Sequence, residues 1–241
     1  FSNLMRKSLK FQTQYNIMEN KVEHIPYNFV KISSNKSLQN SIDFYHTMNK
    51  RRSCRYFSDT DIDPKIIENL ILTAGTAPSG AHKQPWTFVV IDNKNKILRK
   101  KIRDAAEKEE KLSYESRMTQ EWLDALAPLG TNWEKPFLES APYLIIVLRQ
   151  RHGINEDGSK VKHYYTSESV GIAVGILISA IHNAGLVTLT HTPSPMNFLK
   201  TILNRPDNEI PYVLLPVGYP TEDATVPNLT RKSLKEIMVK F

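Results

Sequence analysis

Residues 76–86 read TAPSGAHKQPW and connect a helical pattern at residues 64–75 to a short apolar run at residues 87–91. The loop contains two prolines and one glycine, and Ser79, Gly80 and Ala81 add little bulk. Consecutive small side chains let a planar ligand approach the backbone closely. Taken by itself, however, such a loop is more often an ordinary connection between a helix and a strand.

A second unusual stretch lies upstream of this loop, where residues 51–55 read RRSCR. The guanidinium groups of Arg51, Arg52 and Arg55 match the geometry of phosphate oxygens, and the Ser53 hydroxyl adds a donor. Arg231, near the C-terminus, is a further candidate. These residues predict an anion-binding group, although a basic surface edge is the alternative for the motif in isolation.

Composition limits the class of protein. The chain has 241 residues, of which 40% are hydrophobic and 24% charged, as in a globular protein of one or two domains. The net charge of +7 suits anionic ligands, but the basic residues are dispersed and match no nucleic-acid motif, so we expect no nucleic-acid partner. The single cysteine, Cys54, excludes an intrachain disulfide. The histidines are scattered without ligand spacing, so we expect no metal.

Hydrophobic periodicity predicts an α+β layer fold. Helical spacing covers residues 42–50, 64–75, 93–112, 166–184 and 196–203, and strand-like runs cover residues 87–91, 143–148, 186–190 and 212–217. We expect residues 1–40 to form an extended, partly mobile arm and residues 41–241 to form one domain, with a lid at about residues 107–139. The runs at residues 87–91 and 143–148 are typical of buried strands.

No apolar run reaches the ~20 residues that a membrane span needs. We therefore expect a soluble domain for the sequence as given. The chain begins at Phe1, so a membrane tether in a preceding segment stays open.

Several motifs, in chain order, resemble the flavin-dependent nitroreductase superfamily and, within it, the iodotyrosine deiodinase branch. They extend from about residue 40 to the end: RRSxR at 51–55, APSGAHxxPW at 77–86, Glu110 with Tyr114, TNWxK at 131–135, HYY at 163–165, LVTLTHTP at 186–193, LPVGYP at 215–220 and ATVP at 224–227. The agreement of several independent motifs is far more specific than any one of them.

The resemblance implies a nitroreductase-like mixed sheet flanked by helices, in an intertwined homodimer with exchanged C-terminal arms and FMN at the subunit interface. It implies cofactor-binding roles for Arg51, Arg52, Ser53, Arg55, Pro78, Ser79, Gly80, Thr190, His191, Thr192 and Arg231. Arg55 is the candidate for the N1–C2=O edge of the flavin. Thr192 is the implied catalytic residue, because its hydroxyl would reach the flavin N5 and favour one-electron steps through a semiquinone. The sequence departs here from the familiar vertebrate pattern of the branch, in which we expect threonine at the position of His191.

The resemblance also implies a substrate. Glu110 and Tyr114 are four residues apart and would share a helix face. A carboxylate and a lysine suit the two charges of an amino acid, and the resemblance implies that Glu110, Tyr114 and Lys135 bind a halogenated tyrosine, with its phenolate on the Ala81 amide. The implied reaction is reductive dehalogenation of mono- and diiodotyrosine to tyrosine and iodide. The electrons would come ultimately from NADPH through an external reductant.

Two other functions stay open. A general FMN nitroreductase or quinone reductase would use the same cofactor site but would have no need of Glu110, Tyr114 and Lys135. A non-catalytic flavin-binding or basic scaffold protein is the alternative outside enzymes.

Overall fold

The structure is a computed structural model that describes residues 23–241; most of the predicted arm, residues 1–22, lies outside the described residues. The chain divides into two compact units, one ending at Asp43 and one covering Phe44–Phe241. The first helix, α1, spans Ser34–Lys50 and so begins before the predicted start at residue 42. The amide of Lys36 donates to the Ser33 hydroxyl at 3.3 Å, as at a helix N-cap, which explains the earlier start. No residue of α1 is buried.

Helix α2, Pro64–Gly75, follows the prediction. Asp63 caps it by accepting from the Lys65 amide at 2.9 Å, and Pro64 occupies the first turn. Strand β1, Trp86–Asp92, was expected to be buried, and that prediction is wrong. β1 is an edge strand of the sheet, and Val90 remains 41% exposed.

The remaining elements follow in chain order. They are α3 (Lys96–Leu112), a π-helical turn (Ser113–Arg117), α4 (Gln120–Leu126), a 3-10 turn (Ala127–Leu129), α5 (Phe137–Ser140), β2 (Tyr143–Gln150), β3 (His152–Ile154), β4 (Lys160–Lys162), α6 (Thr166–Asn183), β5 (Val187–Thr188), α7 (Asn197–Ile202), β6 (Glu209–Gly218) and α8 (Leu234–Ile237). The predicted lid, at about residues 107–139, includes the last turn of α3 and stays a prediction. We call residues 113–136, which follow α3, the cover segment.

The main sheet has four strands in the order β1-β2-β6-β5. All three strand pairs are antiparallel, which corrects the expected mixed sheet. Within residues 23–241, parallel pairing is limited to one isolated bridge, between Ser53 and Thr188. This bridge fixes the RRSCR stretch beside β5, so the arginines lie next to the end of the sheet.

The two faces of β2 contribute to two separate cores, as the alternation of side chains along a strand requires. Ile145 and Val147 pack with α2 and α6, whereas Leu144, Ile146 and Leu148 pack with α3, α5 and α7. β2 is buried along its middle residues, as predicted. The sheet therefore separates two helical layers, and the cavity described below lies on the α3 side.

Within residues 23–241, no helix combines the length and the apolar character that a membrane crossing requires.

Candidate functional site

The site is a cavity of about 550 Å³ between the cover segment, the end of the sheet and the C-terminal arm. Eleven residues proposed from the sequence line it: Arg51, Arg52, Ser53, Arg55, Glu110, Tyr114, Lys135, Thr190, His191, Thr192 and Arg231. Four others, Pro78, Ser79, Gly80 and Ala81, do not line this cavity. The structure thus brings most of the predicted residues together, although they come from five separate parts of the chain.

One end of the cavity is strongly cationic. The Arg231 guanidinium donates to the carbonyl of Asn49 at 3.0 Å and to that of Arg51 at 2.7 Å. Arg52 also donates to the Asn49 carbonyl, at 2.9 Å. Asn49 is in the last turn of α1, whose free carbonyls are natural acceptors for guanidinium groups. The end of one helix therefore gathers three arginines at one place.

No carboxylate balances these arginines among the ion pairs of residues 23–241. The pKa of Arg51 is lowered, first by burial and then by the charges of Arg231 and Arg52. Three neighbouring cations that repel each other indicate a site for an anion, and their forked donors suit phosphate.

The other end of the cavity holds a buried ion pair. Lys135 Nζ lies 3.4 Å from Glu110 Oε2, and the two side chains are 4% and 13% exposed. The same ammonium donates to the Asn132 carbonyl and lies 5.8 Å from the centre of the Tyr114 ring. The Tyr114 hydroxyl donates to the Thr131 carbonyl at 3.3 Å. An anion, a cation and a phenol thus face one space.

Burial governs the protonation of this end. It lowers the pKa of Lys135, an effect that the neighbouring Glu110 opposes. It raises the pKa of Tyr114, so this phenol stays neutral at physiological pH. Tyr114 lies in the π-helical turn, an irregularity that often occurs at functional sites. The helix is wider in this turn, and the Tyr114 ring lines the cavity from it.

The wall between the two ends is the segment after β5. β5 contains only Val187 and Thr188, shorter than the predicted strand. The chain then rejoins the sheet at His191, which exchanges backbone hydrogen bonds with Leu214 at 2.9 and 3.0 Å. The short strand leaves Leu189, Thr190 and Thr192 free to line the cavity.

His191 is 4% exposed, and its Nε2 has no hydrogen-bond partner within the described chain. Its ring meets the Phe137 ring edge to face, with centroids 5.5 Å apart. Burial, followed by the charge of Lys135, lowers the pKa of His191 to about 3. The imidazole is therefore neutral at physiological pH and does not act as an acid there.

The loop at residues 78–81 lies outside the cavity. Gly80 forms an antiparallel bridge with Tyr164, and its amide donates to the Ser169 hydroxyl at 3.2 Å. A Cβ at Gly80 would lie 2.4 Å from the Tyr164 carbonyl oxygen, so only glycine fits. Ala81 has a φ of 49°, in the left-handed region that L-residues rarely adopt. The loop is held in a strained, defined shape, yet it contributes nothing to its own chain's cavity.

Sequence reasoning did not single out the apolar roof of the cavity. Met118, Trp122, Leu126 and Leu129 of the cover segment form it. Trp122 and Leu126 are four residues apart and share one face of α4, and this spacing is the signal that could have identified a helical face over a site. Among the described residues, no cluster of histidine, cysteine or carboxylate side chains has the arrangement of a metal site.

Comparison with known proteins gives the family. The sequence profile of the nitroreductase family matches residues 48–219. The chain is 54% identical to an iodotyrosine deiodinase of Haliscomenobacter hydrossis, over 93% of this chain and the full length of that protein. It is 52% identical to an iodotyrosine deiodinase of Hydra vulgaris, over 92% of this chain and 81% of that protein. The chain belongs to the nitroreductase family, in its iodotyrosine deiodinase branch.

Solved structures agree with this membership in the nitroreductase family. A crystal structure of oxidized iodotyrosine deiodinase, bound to FMN and 3-iodo-L-tyrosine, matches with a TM-score of 0.69 and 31% identity. The match covers 82% of this chain and 98% of the other. A BluB-like flavoprotein from Clostridium difficile matches with a TM-score of 0.62 and 21% identity, which supports the fold alone. The resemblance drawn from the sequence motifs is confirmed.

Proposed function

We propose that the protein is an FMN-dependent oxidoreductase that removes iodide from mono- and diiodotyrosine. The observation that carries this proposal is the buried pair of Glu110 and Lys135, beside Tyr114, in the same cavity as the arginine cluster. A free amino acid presents an ammonium and a carboxylate a few ångströms apart, and it needs one partner of each sign. A general nitroreductase or quinone reductase would have no use for a buried zwitterion site.

The donor set fits FMN. Arg51, Arg52 and Arg231, with no carboxylate partner among the described ion pairs, would hold the phosphate, together with the Ser53 hydroxyl. Arg55 would lie at the N1–C2=O edge of the ring, and Thr190, His191 and Thr192 would form the wall beside it. FMN supplies the electrons for the reaction, which an external donor linked to NADPH would restore. The Thr192 hydroxyl would donate to the ring at N5, a contact that favours transfer of one electron at a time.

The protein's own groups then orient the substrate. Glu110 accepts from the ammonium, Lys135 donates to the carboxylate, and the neutral Tyr114 hydroxyl adds a hydrogen bond. The cover segment acts as the predicted lid and excludes water with its apolar roof. In the overall reaction a C–I bond breaks, a C–H bond forms, and iodide leaves. Each such replacement consumes two electrons and one proton.

A second copy of the chain would complete the site. The loop at residues 78–81 does not line the cavity of its own chain, so its roles toward FMN and the substrate phenolate require a partner. An apolar groove of about 720 Å³ lies between α2 and α6, lined by Phe44, Ile172 and Ile176 among others. Helix α8 has no buried residue, and Val239 and Phe241 after it are exposed. We propose a homodimer in which this arm packs on the partner subunit.

An anaerobic experiment tests the activity. The FMN-loaded protein is reduced with dithionite, freed of excess reductant and mixed with diiodotyrosine while the flavin absorbance is followed. We expect reoxidation of the flavin and release of one iodide for each flavin reoxidised. A flavin that stays reduced with diiodotyrosine, but is reoxidised by a nitroaromatic compound or a quinone, would instead identify a general reductase.

A further inference from the structure

Glu107 has a contact that the proposed function does not use. Its Oε1 accepts from the backbone amide of Lys135 at 2.7 Å and from Arg103 Nε at 2.8 Å. The side chain is 16% exposed, so the carboxylate is largely withdrawn from water. A charged acceptor on a backbone amide is among the stronger hydrogen bonds in proteins. Glu107 therefore ties the end of the cover segment to α3.

The turn that begins at Lys135 is held to α3 at two further points. Arg103, the partner of Glu107, also reaches Glu139 Oε2 at 3.2 Å. The fully buried Arg99 donates to the Leu138 carbonyl at 2.8 and 3.0 Å. Neither of these two contacts acts on Lys135 itself.

The contact of Glu107 lies on the same side of α3 as the substrate-binding residues proposed above. Glu107, Glu110 and Tyr114 are separated by three and four residues, so they share one side of the helix. Lys135 is thus held by this one helix at both ends: its backbone amide by Glu107 and its ammonium by Glu110.

An amino-acid ligand must disturb one of these contacts. Its ammonium competes with Lys135 for Glu110, and its carboxylate competes with Glu110 for Lys135, so the ligand weakens the direct pair at 3.4 Å. The ammonium of Lys135 then holds the residue to α3 less strongly. The backbone contact with Glu107 does not involve the ligand and can persist throughout.

We propose that Glu107 is a positioning residue for the zwitterion, because it keeps Lys135 in register with Glu110 and Tyr114 while the ligand weakens the Glu110–Lys135 pair. This inference rests on the proposed function, since it presupposes a ligand with an ammonium and a carboxylate. It predicts that Glu107 affects binding of the amino-acid part of the substrate and leaves binding of the halogenated ring unchanged.

The test compares two ligands on the FMN-loaded protein, diiodotyrosine and a 2,6-diiodophenol without the amino-acid part. Binding is titrated through quenching of the flavin fluorescence. We expect Glu107→Ala to weaken diiodotyrosine binding about tenfold or more, and to leave the affinity for the phenol within about twofold. Glu107→Gln retains an oxygen that can accept from the Lys135 amide, so it should weaken diiodotyrosine binding clearly less than Glu107→Ala does.

Asp104→Asn is the matched control. Asp104 lies on the same helix and pairs with Lys100 at 2.9 Å, but both side chains are more than half exposed and neither contacts the cover segment. This variant should bind both ligands as the unmodified protein does. In steady state, Glu107→Ala should raise KM for diiodotyrosine with kcat nearly unchanged, because the ring still reaches the flavin.

The outcomes are distinct. Equal losses for both ligands in Glu107→Ala, or no loss for either, would overturn the positioning role. If Glu107→Ala does not fold, the same comparison on Glu107→Gln decides, with a selective loss for diiodotyrosine as the supporting result. If the unmodified protein does not bind diiodotyrosine, the proposed function fails rather than this inference.

Discussion

At the residue scale, His191 makes the stability of the protein depend on pH. Its pKa is about 3 in the folded chain, against an ordinary value of 6.5. Between these values the unfolded chain binds a proton that the folded chain does not, so the free energy of unfolding falls as the pH drops below about 6.5. At pH 4.5 the loss attributable to His191 is about 2–3 kcal/mol. Urea unfolding at pH 7 and pH 4.5 measures it.

The variant His191→Gln should flatten this profile. Glutamine keeps a polar group on the wall but does not titrate, so the difference in unfolding free energy between the two pH values should shrink by about 2–3 kcal/mol. His46→Gln changes an exposed histidine on α1 and should leave the profile as it was. An unchanged profile in His191→Gln would show that the buried imidazole is not the source of the acid sensitivity.

The sequence predicted those site residues that are marked by their charge or by a recognisable motif. The arginines at 51–55, and the association of Glu110 with Lys135, were expected and meet in one cavity. Glu107 was not singled out, because α3 carries five acidic and basic residues in its last turns and nothing in their order marks one as buried. Its role follows from a contact with a backbone amide 28 residues away, which no local pattern encodes.

At the element scale, two side chains of the cover segment bond to the wall that follows β5: Arg117, and the Ser113 hydroxyl, which donates to the Ser194 carbonyl at 3.4 Å. Arg117, at the end of the π-helical turn, donates to the Ser194 carbonyl at 3.0 Å and to Glu109 at 2.7 Å. Ser194 follows Thr192 closely, so this contact links the segment over the cavity to the wall of the cavity. Arg117 is 44% exposed, so the contribution of its ion pair to stability is at most about 1 kcal/mol.

Removing this link should loosen the cover segment. In Arg117→Gln, we expect amide hydrogen exchange in residues 113–136 to accelerate about two- to fivefold without ligand, with the rest of the chain unchanged. Lys100→Gln is the control, because Lys100 pairs with Asp104 at 2.9 Å and both residues lie within α3, outside the cover segment. Equal exchange in Arg117→Gln and the unmodified protein would mean that Arg117 does not hold the segment in place.

Elements were predictable to the extent that local signals defined them. The Asp63 cap and the long apolar run of β2 gave correct assignments. The exposure of β1 could not be foreseen, because its sequence is as apolar as that of an interior strand and only the strand order makes it an edge. The antiparallel sheet is likewise a property of the chain path, and the expectation of a mixed sheet was wrong.

At the scale of the whole molecule, the proposed homodimer can be tested at the apolar groove between α2 and α6. Ile172 on α6 is 46% exposed and lines the apolar groove together with Phe44, which is 63% exposed. If this groove is the dimer interface, the unmodified protein should sediment at twice the chain mass of 27.7 kDa. Ile172→Glu should then dissociate it, because a carboxylate buried without a partner costs several kcal/mol.

Ile172→Glu should also lose FMN, and this second effect distinguishes loss of the dimer from a merely local change. Ile172 lies outside the cavity, so it can influence the cofactor only by separating the cavity from the partner's loop at residues 78–80. Ile97→Glu is the control: Ile97 is 75% exposed on α3, and that change should leave both mass and flavin content unaltered. A monomeric Ile172→Glu protein with full flavin content would show that one chain binds FMN without its partner, and the loop at residues 78–80 would then have no role in the site.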